Sequence, residues 1–530
     1  MSTTARVRNW WGWGYEDARI DPHAVAALAT ATLGFGDLGP VEDPARPEDI
    51  ALPAPRLDVA GLPSASTDAL DRVHHSLGKS YPDIIRAFRG RIDHAVDAVT
   101  RPADERELEA VLAWADGANA ALVPYGGGTS VCGGVEPRVP AGFDGVVSVD
   151  LGRLDRVLEV DAVSRSARIQ AGASGPALEA QLREHGLTLR FFPQSFELAT
   201  LGGWIATRAG GHFATARTHI DDLVESVRAI TPVGAWESRR LPGSGAGVSP
   251  DRLLLGSEGT LGVITEAWMR VQPRPAHRAS QAVRFPDFAT GAEAVRAVAQ
   301  SGLTPANLRL LDEVEAQSTG AGDGTHAVLV LGFESTAAAV DVGDDLRRGL
   351  ALCRAHGGAW DDPAPRDGAG TPGGAVDTWR DAFLAMPYLR DAMVRLGVLT
   401  DTFETAITWE RFPAFHAEVM GAVRAAVGEP CRLSCRFTHV YPDGPAPYYT
   451  IVAPARRGDE LAQWAAMKQA AGDAIIGAGG TITHHHAVGR DHRLWYDRQR
   501  PDVFAAALAG AKAAVDPHGR LNPGVLLGGE

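Results

Sequence analysis

Cysteine is scarce in this chain: Cys132, Cys353, Cys431 and Cys435 are the only four among 530 residues. Four are too few for a disulfide framework, and Cys431 with Cys435 lacks the second pair that a zinc site needs. A reducing, cytoplasmic setting is expected. Positive charge is also in short supply, with 51 Lys and Arg against 65 Asp and Glu and a formal net charge of −14. Affinity for a phosphate backbone rests on neutralising phosphates with Lys and Arg, so no nucleic acid partner is expected. The N-terminal stretch MSTTARVRNWWGWGYED lacks a sustained apolar run and turns acidic at Glu16 and Asp17, which argues against a secretory signal or a membrane span. Its Trp10, Trp11 and Trp13 are expected to pack over a domain surface, with peripheral membrane contact as the alternative. The dinucleotide spacing G-x-G-x-x-G is absent from Gly126 to Gly134 and no Lys follows as in a triphosphate loop, so neither a Rossmann fold nor a P-loop is favoured.

Glycine, by contrast, is plentiful, and its placement is informative. The run PYGGGTSVCGG, Pro124 to Gly134, sets three consecutive glycines between apolar Ala120 to Val123 and the hydroxyls of Thr129 and Ser130. Bare main-chain N–H groups in such a turn form an anion-binding nest, which points to a nucleotide cofactor; a plain glycine turn is the alternative for this loop alone. The surrounding pattern is α+β. Pro102, first-turn acids, and Leu108, Val111, Leu112 and Ala115 at helical spacing predict a helix through RPADERELEAVLAWADGANA. Strands are predicted at residues 121–124, 145–149, 157–160, 167–171, 223–233 and 262–271. The prolines of QPRP, Pro273 and Pro275, suggest a domain border. Beyond it, a strand, a helix over 289–300, a strand over 327–333 and a helix over 337–356 read as helices layered on a sheet, and 361–375 as a mobile loop.

Two further stretches, PQSFELATLGGWIATRAGG (Pro193 to Gly211) and GSEGTLGVIT (Gly256 to Thr265), also mix glycines with small hydroxyl residues. Three such surfaces suit an extended cofactor whose diphosphate, sugar and ring need separate grooves. Together with WWGWG, DTFET (Asp401 to Thr405), SCRFTHVY (Ser434 to Tyr441) and THHHAVG (Thr483 to Gly489), they make the chain resemble the FAD-linked oxidases of the vanillyl-alcohol-oxidase type, and more closely the alkyldihydroxyacetonephosphate synthases. The likeness runs from about Asp97 to the C-terminus. It implies that FAD is held by Pro124, Tyr125, Gly126, Gly127, Gly128, Thr129 and Ser130, and by Pro193, Gln194, Ser195, Glu197, Leu198, Ala199 and Thr200. Ala206, Thr207, Arg208 and Ala209 complete the second stretch, and Glu258, Gly259, Thr260, Leu261, Gly262, Val263 and Ile264 form the third. The fold so implied is α+β: a two-subdomain PCMH-type FAD-binding domain (96–275), an α/β cap domain (276–480), a C-terminal segment carrying the histidines back to the FAD domain (481–530), and an N-terminal helical extension (1–95).

His484, His485 and His486 are the chemical signature, because imidazoles titrate near neutrality and exchange protons. On an extended segment His484 and His486 would share one face and His485 the other. No carboxylate or cysteine cluster is spaced to complete a metal site around them, so no metal is expected. By resemblance the triplet belongs to the active site, and Tyr448 matches the tyrosine that takes a proton from the substrate carbon. An ordinary phenol titrates near ~10, so that role needs cations or donors nearby; without the resemblance, Tyr448 and Tyr449 read as sheet packing. Arg390 matches the substrate-binding arginine, suited to a phosphate or carboxylate. Arg309 is a secondary anion contact or an ion-pair partner of Asp312. Ala487 stands where the family more usually has glycine. The resemblance implies exchange of the acyl group of an acyl-dihydroxyacetone phosphate for a fatty alcohol, with the flavin carrying the covalent step. An FAD-dependent dehydrogenase or oxidase of a 2-hydroxy acid or alcohol is the alternative. The expected substrate is a small phosphate- or carboxylate-bearing molecule with an acyl chain. Non-covalent FAD, against attachment at His74, His75 or Cys132, and a homodimer are implied by resemblance alone.

Overall fold

The computed structural model describes residues 6–361 and 375–527, so nearly all of the predicted loop 361–375 lies outside the described residues. Ala120–Tyr125 pairs in parallel with Gly145–Asp150, which pairs in parallel with Ala98–Thr100. The unbroken apolar run Ala120, Ala121, Leu122 and Val123 suits a strand covered on both faces, and all four are buried. The predicted helix is present as Glu105–Gly117. Asp104 caps it by accepting from Glu107 N at 2.9 Å, and Leu108, Val111, Leu112 and Ala115 are buried along one side. The first glycine loop leaves the sheet directly at the C-terminal end of Ala120–Tyr125.

A second, five-stranded sheet runs in the order Val157–Asp161, Ser166–Gln170, Val263–Arg270, Val224–Thr231, Gly234–Glu237. It shares one core with the first sheet, around Phe191 and Trp204. The remaining chain builds a six-stranded antiparallel sheet in the order His277–Phe285, Ala327–Ser335, Asn307–Leu311, Arg432–Tyr441, Gly444–Pro454, Val398–Glu404. The helix predicted over 337–356 begins later, at Gly343–Ala355, because Asp341 accepts from Gly343 N at 2.9 Å and turns the chain first.

Period-two alternation decides what this third sheet does. Leu433, Cys435 and Phe437, with Tyr449, Ile451 and Ala453 on the neighbouring strand, enter the apolar core shared with helices Phe288–Gln300, Phe412–Val427 and Glu460–Gly477. Their alternates Ser434, Arg436 and Thr438, with Tyr448 and Thr450, line the main cavity instead. A polar face is therefore buried, which is costly unless every group is engaged. Trp10, Trp11 and Trp13 are buried, Trp11 against Phe88 with ring centroids 5.2 Å apart. The Asp391 carboxylate accepts from Trp13 N at 2.5 Å and fastens this N-terminal turn to the helix Ala375–Arg395. Among the described residues, no helix is long and apolar enough to cross a membrane.

Phe437 sits among Phe288, Phe412 and Trp409 at centroid distances of 5.1, 5.0 and 5.9 Å. Phe437→Ala is expected to cost about 3–5 kcal/mol through lost burial and a residual cavity, read as a lowered Tm.

Candidate active site

A cavity of about 720 Å³ lies between the glycine loops and the polar face of the six-stranded sheet. Its cofactor side follows from backbone packing. A Cβ on Gly127 would meet Leu198 O at 2.0 Å, and one on Gly126 would meet Thr200 Oγ1 at 2.3 Å, so the first loop closes on the second only because these side chains are missing. Among the described residues, the main-chain N–H groups from Gly126 to Val131 donate to no protein acceptor. A cradle of free donors beside the hydroxyls of Thr129 and Ser130 fits the diphosphate of a dinucleotide.

The cavity wall includes Pro124 to Ser130, Pro193, Gln194, Ser195, Ala199, Thr200, Ala206, Thr207, Ala209, Glu258, Gly259, Gly262 and Ile264. Other residues of the three stretches are not brought to it. Glu197 accepts from Tyr388 Oη at 2.6 Å and from Arg6 at 3.1 Å. Arg208 pairs with Asp221 at 2.8 Å beside a second cavity. Leu198, Thr260, Leu261 and Val263 are buried without facing the ligand space. Glu258 has a structural task of its own. Its carboxyl accepts from Val488 N at 2.9 Å and Gly489 N at 2.8 Å, tying the third loop to the segment after the histidines, and burial pushes it up to about 7.

The reactive side is organised by a row of residues across three strands. Glu404, Tyr448 and Arg436 are direct cross-strand partners. The Glu404 carboxylate, on the strand Val398–Glu404, accepts from the main-chain N–H of His484 (2.6 Å), His485 (3.2 Å) and His486 (2.9 Å) and from Thr483 Oγ1 (2.5 Å). This corrects the extended geometry expected for the triplet: successive N–H groups converge on one carboxylate, so the chain curls. His485 and His486 both line the cavity, with ring centroids 6.1 and 5.5 Å from Tyr448. His484 turns away, its Nδ1 3.0 Å from His485 Nδ1 and its Nε2 2.7 Å from Tyr441 Oη. The turn then passes through Ala487 at φ +73°, a left-handed conformation that costs an alanine roughly 1–2 kcal/mol and a glycine almost nothing.

Electrostatics also depart from expectation. Burial holds all three histidines below the ordinary imidazole range, which favours their neutral form. Burial alone would raise the Glu404 carboxyl, but His486, His484, Thr483 and the main-chain donors bring it down to about 2. Tyr448 is 5% exposed and donates to Thr402 Oγ1 at 3.0 Å; burial raises its phenol while Arg436, with Cζ 3.9 Å from the ring centroid, opposes that rise.

Arg390 lines the cavity and donates through Nη1 to Lys79 O at 2.9 Å, and Lys79 N in turn donates to Ser130 O at 2.6 Å. Its Nε and Nη2 are buried with no hydrogen-bond partner among the described residues, Nε lying 3.9 Å from Asp391 Oδ1, so donors remain for an anion, Nη2 foremost. Arg309 also lines the cavity and donates to His212 O at 3.1 Å; burial, then repulsion from Arg436, lowers it to about 9. The Asp312 carboxylate accepts from Glu315 N at 2.7 Å and Cys435 N at 2.6 Å. The far end of the cavity is apolar, with Trp13, Val25, Leu33, Met386, Leu389 and Met393. Glu404 and Arg436 were not singled out as site residues. For Arg436 the signal was a polar residue at every second position along Ser434, Arg436 and Thr438 of SCRFTHVY.

Two family models match the chain: "FAD binding domain" over residues 96–238, and "FAD linked oxidases, C-terminal domain" over residues 274–526. Fold and site thus define an FAD-binding flavoenzyme of the FAD-linked oxidase type. The chain is 31% identical to alkyldihydroxyacetonephosphate synthase of Dictyostelium discoideum over 494 residues, 87% of this chain and 78% of that protein. It is 30% identical to the Caenorhabditis elegans protein of the same name over 97% of this chain and 94% of that one. A solved alkyldihydroxyacetonephosphate synthase structure superposes with a TM-score of 0.78 at 25% identity, covering 97% of this chain and 98% of that chain. The chain belongs to the alkyldihydroxyacetonephosphate synthase family.

Gly127→Ala is expected to weaken FAD binding at least about tenfold, or ~1.4 kcal/mol, read as a lower flavin-to-protein absorbance ratio after purification. Glu404→Gln is expected to keep the flavin but lower turnover about 10²-fold, the scale of a ~1 Å misplacement of catalytic groups. A depressed carboxyl stabilises the fold fully above its unfolded value of 4.5 and loses that contribution as pH falls towards about 2. The Glu404→Gln protein is therefore expected to show a shallower loss of Tm over that acid range.

Proposed function

We propose that this chain catalyses the exchange of the acyl group of an acyl-dihydroxyacetone phosphate for a fatty alcohol, yielding the alkyl ether and a free fatty acid without net oxidation. The observation that carries this reading is one cavity uniting a buried phenol, two neutral imidazoles, an arginine with free donors and an apolar end. FAD, when bound along the glycine loops, would supply an electron-accepting ring for the substitution at the carbon beside the ketone. The phosphate of the substrate is held by Arg390, whose unpartnered guanidinium donors suit its oxygens. Tyr448, as phenolate, takes a proton from the carbon that bears the acyloxy group and returns it when the ether is complete. His485 and His486, being neutral, take the proton of the incoming alcohol and pass it to the departing carboxylate. The apolar wall of Trp13, Val25, Leu33, Met386, Leu389 and Met393 accepts the chains in turn and keeps water from replacing the alcohol.

FAD is held without a covalent bond in this reading. Burial pushes the Cys132 thiol well up, and the ring of His75 is engaged by Asp150 at 3.2 Å. A homodimer in a reducing cytoplasm, meeting a membrane surface peripherally to collect its chains, completes the proposal; the four free thiols support the compartment.

Tyr448→Phe is expected to lower alcohol-for-acid exchange by about 10²–10⁴-fold, the usual worth of a positioned base, with flavin content unchanged. Anaerobic mixing of the parent enzyme with D-lactate, glycolate or D-2-hydroxyglutarate is expected to leave the flavin band intact. Bleaching without exchange would replace this reading by a 2-hydroxy acid dehydrogenase.

A further inference from the structure

We propose that Arg436, clamped by Glu315, is the positioning residue that makes the Tyr448 phenol a base. The proposal rests on the proton-abstracting role given to Tyr448 above. Arg436 and Tyr448 are direct partners in the antiparallel pair Arg432–Tyr441 and Gly444–Pro454, so their side chains leave the same face of the sheet. The guanidinium carbon lies 3.9 Å from the Tyr448 ring centroid. A cation over an aromatic face binds more tightly as that ring gains charge, so ionisation of the phenol is favoured by the same contact.

Among the described residues, no neighbouring element stacks a substitute cation on this ring. His485 and His486, from the C-terminal turn, are kept neutral by burial. Lys468, from the helix Glu460–Gly477, donates to Thr402 O at 2.8 Å and pairs with Asp401 at 3.3 Å. Arg309, on the strand Asn307–Leu311, is directed to His212 O. On the other side of Tyr448 stand Glu404 and Asp401, two carboxylates that oppose a phenolate. Among the described residues, Arg436 is the only cation stacked on this ring.

The guanidinium is also buried and ion-paired. It is 1% exposed, and Nη1 is bound by the Glu315 carboxylate and lies 3.3 Å from Thr450 Oγ1. Ser434 Oγ donates to the second Glu315 oxygen at 2.5 Å, and Glu315 itself sits on the short helix Glu313–Ser318, capped by Asp312. A buried ion pair of this kind usually stabilises a fold no better than well-packed apolar residues would. Its place beside the one phenol in the cavity that faces both histidines accounts for it through the reaction rather than through stability.

The test replaces Tyr448 by difluorotyrosine, whose phenol titrates in a range the protein tolerates, and follows the ionisation by fluorine NMR in the FAD-loaded enzyme. The phenol midpoint is expected to rise by at least about one pH unit, a tenfold change in acid dissociation, in Arg436→Met combined with Glu315→Gln. It should return most of the way in Arg436→Lys, and the ascending limb of kcat/KM, which reports an essential base, should move with it in the same variants with Tyr448 intact. If the double variant does not retain flavin, Arg436→Lys alone is expected to move the midpoint upward by a smaller amount. An unmoved midpoint in the folded variants overturns the proposal, whatever happens to kcat, since a purely structural Arg436 would lower turnover without changing the ionisation. The NMR titration needs no substrate, so it stands or falls separately from the assignment of the reaction.

Discussion

The reactive half of the molecule depends on one carboxylate. Glu404 ends a sheet strand, and all four of its close donors come from Thr483, His484, His485 and His486, roughly eighty residues later in the chain. Buried carboxylates are tolerated when their oxygens are saturated with donors, and this one is. The same strand pairs Glu404 directly with Tyr448. A single sheet position therefore sets the distance between the proposed base and the two imidazoles that face it. Glu258 performs the matching service on the cofactor side, gripping Val488 and Gly489 just beyond the left-handed Ala487. Between these two grips, the histidine turn has little freedom to choose another shape.

Charge in the cavity is arranged economically. Burial favours the neutral form of the histidines, which suits the proton relay proposed for His485 and His486. The fixed positive groups are arginines, which hold their charge even when buried. Arg390 keeps unpartnered donors towards the cavity, whereas Arg436 is paired with Glu315 through Nη1 and stacked on Tyr448. In the proposed reaction the two arginines would serve different ends of the same substrate, Arg390 at its phosphate and Arg436 behind the proposed base Tyr448.

Much of this was readable in the residues. Three consecutive glycines after an apolar strand foretold a cradle of free amides, and the helix ahead of them was marked by its acids and its apolar spacing. The histidine triplet stood out, but its shape did not, because the carboxylate that curls it is distant in sequence and belongs to another element. Tyr448 and Tyr449 looked alike as neighbours in a strand, yet one packs in the core on Phe403 and the other faces the cavity. Local pattern fixes only that they oppose each other. Ser434, Arg436 and Thr438 alternate with apolar residues as on any half-exposed strand; whether such a polar face meets water or a buried site depends on what the rest of the chain lays over it. Arg208, Leu198 and Val263 show the converse, since residues inside a cofactor motif can serve the fold around it.

The most direct test of the central claim is hydrogen exchange at the main-chain amides of His484, His485 and His486, resolved residue by residue in the FAD-loaded enzyme. If Glu404 holds them, all three should exchange as slowly as the amides of the strand Gly444–Pro454 and should become fast together in Glu404→Gln. Exchange at the rate of an open surface turn in the parent enzyme would contradict it.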